Sequence, residues 1–453
     1  MLATTLLAAT LSVGPIQLEP CFVEGSRKSL SCATLTVPES YRDENSQAVE
    51  LHIVRAESVA KQSRSPLFIL AGGPGQAATE MTSMLVNAFE EVVKQHDVVF
   101  VAQRGSGLSQ AQPCHNKELL TTQDVLNAFS ECQEKIKDVT HQLSTDVLVD
   151  DIDSVRQALG YNKISLWGGS YGTFAAQHYA NKYTQHVDKL ILDAVVPLNG
   201  NPLVDGGRYP QQSLDRLDTL CQQDTDCSAH FPDWKAQFYQ LLDKTRHHPI
   251  KLKFGQKQIS VDHILLSQLV RTALYVPRLS AKLPMALTRA NQGDSRQLSA
   301  LNQMVAGAAT DTMYLGLTLG VLCQEHVYAG QAEKAKLAAK GSFTQDHYYR
   351  YWMQGCNGER TAQANYIQAP KQLTTPTLLV SGELDPITPE QNTHSASQFF
   401  TDYQHIVIPN AGHTNSHLGC MPKLLKSFLL EGEVKDTACI EQNRFPPFIT
   451  DGQ

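Results

Sequence analysis

The chain has 453 residues, 42% of them hydrophobic and 18% charged, and a formal net charge of −7. That length is long for one compact unit, so a core domain with a large insertion or a second domain is expected. The acidic balance offers no basic field for a nucleic acid backbone, and no run of basic residues marks a membrane-surface patch.

Ten cysteines fall as sequence neighbours: Cys21/Cys32, Cys114/Cys132, Cys221/Cys227, Cys323/Cys356 and Cys420/Cys439. No Cys-x-x-Cys zinc pattern occurs, so five local disulfides in a secreted or periplasmic protein are the simplest reading. The competing reading is ten buried thiols in a cytosolic enzyme, and spacing alone leaves the connectivity open.

Residues 1–16 read as a signal segment. An apolar stretch over 2–13 is followed by Gly14-Pro15, although no Lys or Arg precedes it. It is too short to span a bilayer. Residues 17–198 read as the first part of a sheet domain. Within it, 31–38 and 49–56 are expected as β structure, and the polar–apolar alternation of the second suits a half-exposed antiparallel strand. Continuous apolar runs at 66–70 and 97–102 predict buried strands, and helical spacing covers 145–159. A further strand is expected over 189–197. From 199 to 369 the chain turns polar and helix-favouring, with stretches at 234–245, 280–293 and 331–340, which predicts an inserted helical cap. Strand pattern resumes at 377–382 and 405–409. A closing helix over 423–430 and a cysteine-tied tail complete a second core part, 370–453. Strands alternating with helices predict an α/β, mostly parallel, doubly wound sheet.

Between the strand and helix patterns around residue 170 lies Gly168-Gly169-Ser170-Tyr171-Gly172. Strand, tight turn and helix make the context of a nucleophile elbow, where glycines let strand and helix approach and the serine stands at a helix N-terminus. A serine nucleophile needs a base, and the base needs an anion to fix its tautomer. In the order Ser, acid, His, the candidates are Asp385, on the loop after strand 377–382, and His413, on the loop after strand 405–409. His405, His417 and His394 compete for the base and Glu383 for the acid. Taken alone, Asp385-Pro386 is equally a turn signal and Gly412-His413 a loop histidine. For the oxyanion, two N–H donors are expected, from Tyr171 and from Gly73 in the turn Gly72-Gly73-Pro74-Gly75.

These motifs, with Gln103-Arg104-Gly105-x-Gly107-x-Ser109 and the tail from Cys420 to Cys439, resemble the proline iminopeptidase-like serine peptidases, an α/β-hydrolase family, and within it the secreted tripeptidyl aminopeptidase branch. The resemblance covers approximately 30–198 and 370–440. It departs at Ala71 and Ala102, where the family usually carries His and Asp. It implies a serine exopeptidase that hydrolyses short peptides from a free N-terminus, of proline imino- or tripeptidyl-aminopeptidase type. In related enzymes a cap carboxylate holds the substrate ammonium, and Glu325 is the candidate here. The alternative with the same triad is a secreted carboxylesterase or lipase. No cofactor, metal, nucleic acid or protein partner is called for. His247-His248 lacks further ligands, and Gly105-x-Gly107 lacks the rest of a dinucleotide fingerprint.

Overall fold

The computed structural model describes residues 15–26, 29–43, 45–60, 64–112, 114, 121–309, 313–367 and 369–450. All but the last two residues of the expected signal segment lie outside them.

Eleven strands occur among the described residues: β1 (Glu19–Cys21), β2 (Leu30–Pro38), β3 (Ala48–Ala56), β4 (Arg64–Leu70), β5 (His96–Val101), β6 (Ile164–Gly169), β7 (Val187–Asp193), β8 (Ile250–Phe254), β9 (Lys257–Val261), β10 (Thr377–Gly382) and β11 (Tyr403–Ile408). Nine of them build one sheet in the order β1-β2-β3-β5-β4-β6-β7-β10-β11. The β1–β2, β2–β3 and β3–β5 pairs are antiparallel. All other neighbours in this sheet run parallel. Every residue of β5, β6 and β10 is buried, as continuous apolar runs require of central strands covered on both faces.

Each face has its own core. On one side the helices Thr145–Ala158 and Tyr171–Lys182 pack Ile152, Val155 and Phe174 against Phe68, Leu166 and Leu192. On the other, Phe89 and the helix Met421–Glu431, through Leu425 and Phe428, cover Phe100, Trp167 and Ile191. The strand expected over 189–197 stops at Asp193, because Ala194 takes a positive φ of 66° and leaves the ladder.

Between residues 202 and 355 the chain is largely helical. Trp234, Phe238, Leu266 and Leu287 centre a separate apolar cluster. The stretch 280–293 is split into the helices Pro277–Ser280 and Leu283–Asn291, with Pro284 in the first turn of the second. The antiparallel hairpin β8–β9 interrupts the helices. The helix Leu315–Glu325 packs Leu317, Leu319 and Val321 into the sheet domain's core rather than into the cap's. All five cysteine pairs are sequence-neighbour disulfides, Cys21–Cys32, Cys114–Cys132, Cys221–Cys227, Cys323–Cys356 and Cys420–Cys439. Among the described residues no helix is long and apolar enough to cross a membrane.

Candidate active site

The chain order reverses between β4 and β6, so their carboxyl ends open a crevice where doubly wound sheets place ligands. Ser170 follows β6 directly, with φ 55° and ψ −121°. That backbone is strained for a residue with a Cβ, and here the surroundings enforce it. The Ser170 N–H donates to the Asp193 carbonyl at 2.9 Å. A methyl group on Gly172 would sit 2.0 Å from the Leu70 carbonyl oxygen, and one on Gly168 2.3 Å from that of Gly172. Strand and helix meet this closely only because both positions lack a side chain. Ser170 therefore caps the helix Tyr171–Lys182, where free N–H groups favour negative charge.

The loop after β10 presents Asp385, whose side chain is fully buried. Its Oδ1 accepts the N–H groups of Ile387 at 2.8 Å and Thr388 at 3.0 Å. Its Oδ2 accepts the Thr388 hydroxyl at 2.8 Å and His413 Nδ1 at 2.8 Å. Burial works against the charge, but the His413 imidazole and these donors outweigh it and hold the Asp385 carboxyl below its ordinary range. With Nδ1 engaged, Nε2 is the ring nitrogen left for other work.

Ser170 and His413 share the wall of one cavity of about 750 Å³. The rest of the wall is largely apolar, with Met84, Leu279, Met313, Leu322 and Ile387 contributed from both core and cap. The glycine turn after β4 lies against the elbow, since a methyl group on Gly72 would stand 3.4 Å from Ser170 Cβ. Gly73 has φ 108°, and the helix Leu315–Glu325 fixes the turn through Thr318, whose hydroxyl donates to the Pro74 carbonyl at 2.7 Å. Gly73 and Tyr171 both line the cavity.

Competing candidates sit elsewhere. His405 Nε2 pairs with the Ser381 hydroxyl at 2.9 Å, beside the sheet. Glu383 accepts the Asn410 N–H at 2.9 Å, at the surface. His394 is exposed on the helix Glu390–Ser397. His417 is exposed, at the cavity margin.

Glu325 does not reach the cavity wall, which corrects its expected role as an ammonium anchor. The residue is 0% exposed. One carboxylate oxygen accepts the Thr145 N–H at 2.7 Å and the Tyr366 hydroxyl at 2.8 Å, and the other accepts the Thr145 hydroxyl at 2.7 Å. The Thr145 hydroxyl also bonds the Tyr171 phenol at 2.7 Å. Glu325 thus braces the elbow helix from behind.

Two functional-site neighbours are not singled out by sequence reasoning. Asp193 ends β7 fully buried, and its Oδ2 accepts the Asn415 N–H at 2.8 Å and the Ser416 N–H and hydroxyl at 2.7 Å each. Through its carbonyl on Ser170 and its carboxylate on the loop after His413, it sets the spacing between the two. An acidic residue closing the apolar run Leu190-Ile191-Leu192 is the only signal for it. Tyr275, in the turn after the cap helix His263–Ala273, stacks edge-on to His413 with ring centres 4.9 Å apart, and its carbonyl accepts the His413 N–H at 2.9 Å.

Residues 65–246 match the family described as the alpha/beta hydrolase fold, and residues 343–439 match the TAP-like protein family. The protein YuaR from Escherichia coli (strain K12) is 26% identical over 96% of this chain and 94% of the relative. A tripeptidyl aminopeptidase of Streptomyces lividans is 25% identical over 50% of this chain and 45% of that protein. Serine protease Hip1 of Mycobacterium tuberculosis is 25% identical over 42% of this chain and 41% of that protein. The chain thus matches less than half the length of either peptidase.

Proposed function

We propose, for a chain that has the α/β-hydrolase fold with a TAP-like segment, that it is a secreted or periplasmic serine exopeptidase acting on short peptides from a free N-terminus. The observation that carries the hydrolase part is the Asp385–His413 hydrogen bond on the wall of the cavity that also holds Ser170. Ser170 Oγ attacks the acyl carbon while His413 Nε2 takes its proton, and Asp385 keeps the imidazole in the required tautomer and stabilises the imidazolium. The Gly73 and Tyr171 N–H groups receive the oxyanion. His413 then protonates the leaving amine, and water releases the acyl group by the same route in reverse. The peptide part is supported by the names of the relatives, and the oxidising compartment by the five disulfides.

One observation favours a carboxylesterase as the second reading. Asp193 is the only acidic residue lining the cavity among the described residues, and its carboxylate is taken up by Asn415 and Ser416. No free carboxylate waits there for a substrate ammonium. A fluorophosphonate probe should label the wild type and not Ser170→Ala; labelling of both would remove Ser170 as nucleophile. Aminoacyl arylamides, free and N-acylated, set beside p-nitrophenyl esters then separate the readings. The exopeptidase reading requires a clear preference for the free amine, and indifference to it selects the esterase.

A further inference from the structure

Two deeply buried arginines of the sheet domain find their counter-charge inside the protein. Arg104 pairs with Asp151, and Arg156 with Asp153. Arg271 does not. The cap helix His263–Ala273 carries it into the wall of the Ser170 cavity, where it is 5% exposed. Its Cζ lies 3.9 Å from the ring centre of Tyr348 and 5.6 Å from that of Tyr275. Its Nε has no hydrogen-bond partner. The phenols of Tyr275 and Tyr348 hold it ionised although burial opposes this. A guanidinium taken out of water is costly unless an anion meets it. The aromatic rings and their phenols recover part of that cost, but they bring no anion to the guanidinium.

We infer that Arg271 is the anchor for a carboxylate on the substrate, so that the enzyme hydrolyses acyl compounds, short peptides foremost, that carry a free carboxylate near the bond broken. This rests on the serine-hydrolase reading above. The Tyr275 ring touches both the guanidinium and the His413 imidazole, so the anchor lies no farther from the base than those two ring contacts laid end to end. About three extended residues cover such a span. Two carboxylates fit it: the α-carboxylate of a short peptide, and an Asp or Glu side chain next to the cleaved bond. The cavity excludes bulk water from one side of the pair, which strengthens it relative to a surface contact. Arginine, unlike lysine, matches both carboxylate oxygens at once.

The experiment compares kcat/KM within matched substrate pairs. One pair is a tetrapeptide as free acid and as C-terminal amide, and the other is a C-terminally amidated peptide with Glu or Gln beside the cleaved bond. In wild type the carboxylate member of at least one pair is expected to be preferred by roughly thirtyfold or more, the scale of one desolvated charge contact. The pair that shows the preference identifies which carboxylate is held. Arg271→Met should bring the ratio close to one, and Arg271→Lys should leave a reduced preference of the same sign. Equal rates in both pairs by a wild type whose Ser170 reacts with the fluorophosphonate probe would overturn the anchor and leave the hydrolase reading standing. A preference that Arg271→Met retains would overturn it as well. Because the wild-type ratio is read without any substitution, the outcome does not hinge on how either variant folds.

Discussion

Glu325 accepts three hydrogen bonds, two from Thr145 and one from Tyr366, with no surface left for water. Burial is the largest influence on this carboxyl, and it raises the pKa despite those donors. A carboxyl that binds its proton more tightly in the folded chain than in the unfolded one makes stability fall as pH rises through the folded pKa. Glu325→Gln removes that dependence. The stability of wild type relative to Glu325→Gln is therefore expected to be greatest below the ordinary glutamate pKa of about 4.3 and to shrink as the pH rises above it, read as urea unfolding free energies at stepped pH. A difference that grows with rising pH would contradict this account. Arg271 is the opposite case at the same scale. It is nearly as deeply placed but has no acid partner among the described residues, and it faces the cavity where Glu325 faces the protein.

At the scale of elements, the loops after the strands do the positioning, and buried ion pairs hold the loops. Arg104, in the loop after β5, donates through Nε to Asp151 Oδ2 at 2.8 Å and through Nη2 to Asp151 Oδ1 at 2.5 Å. It also donates to the Glu39 carbonyl at 2.8 Å, so one side chain joins the β5 loop, the end of β2 and the helix Thr145–Ala158. Side-chain exposures of 2% and 1% put this pair in the class whose rupture leaves a bare buried charge. Arg104→Met should lower the unfolding free energy by about 3–5 kcal/mol, measured by urea denaturation, and Asp151→Leu added to it should recover part of the loss. Recovery is the informative arm, because a mere loss of packing would be deepened by the second change. Asp193 acts similarly, with a carboxylate in place of the guanidinium: it joins β7 to the loop after His413.

For the molecule as a whole, the helical region and the sheet domain are bound together by covalent and polar links. Cys323–Cys356 joins the helix Leu315–Glu325, which packs on the sheet domain, to the helix His347–Gly355 across 33 residues. Replacing both cysteines by serine should cost about 4 kcal/mol by the loop-entropy estimate, seen as a lower thermal midpoint in the unreduced protein. A midpoint unchanged within error would place the stabilisation in packing alone. The central strands are legible in the sequence because each is a short apolar run closed by a glycine, proline or polar turn, and the elbow glycines around Ser170 are a local signal too. Asp193 and Arg271 are not legible, because what they do depends on neighbours brought to them from far along the chain. Glu325 misleads for the same reason: a carboxylate beside a cysteine carries no mark of which way it faces. The hairpin β8–β9 escapes because Lys251 and Lys253 alternate with apolar residues over only five positions inside a helix-rich stretch.

The turn that carries Tyr275 has one more effect on the working of the enzyme. Its carbonyl is bonded to the backbone of residue 413, and a methyl group on Gly412 would stand only 2.1 Å from that oxygen, so roof and base are fastened together there. If the roof lifts there, the imidazole loses its backbone tether. The catalytic imidazole is thus held in place from the helical layer as well as from the loop that carries it.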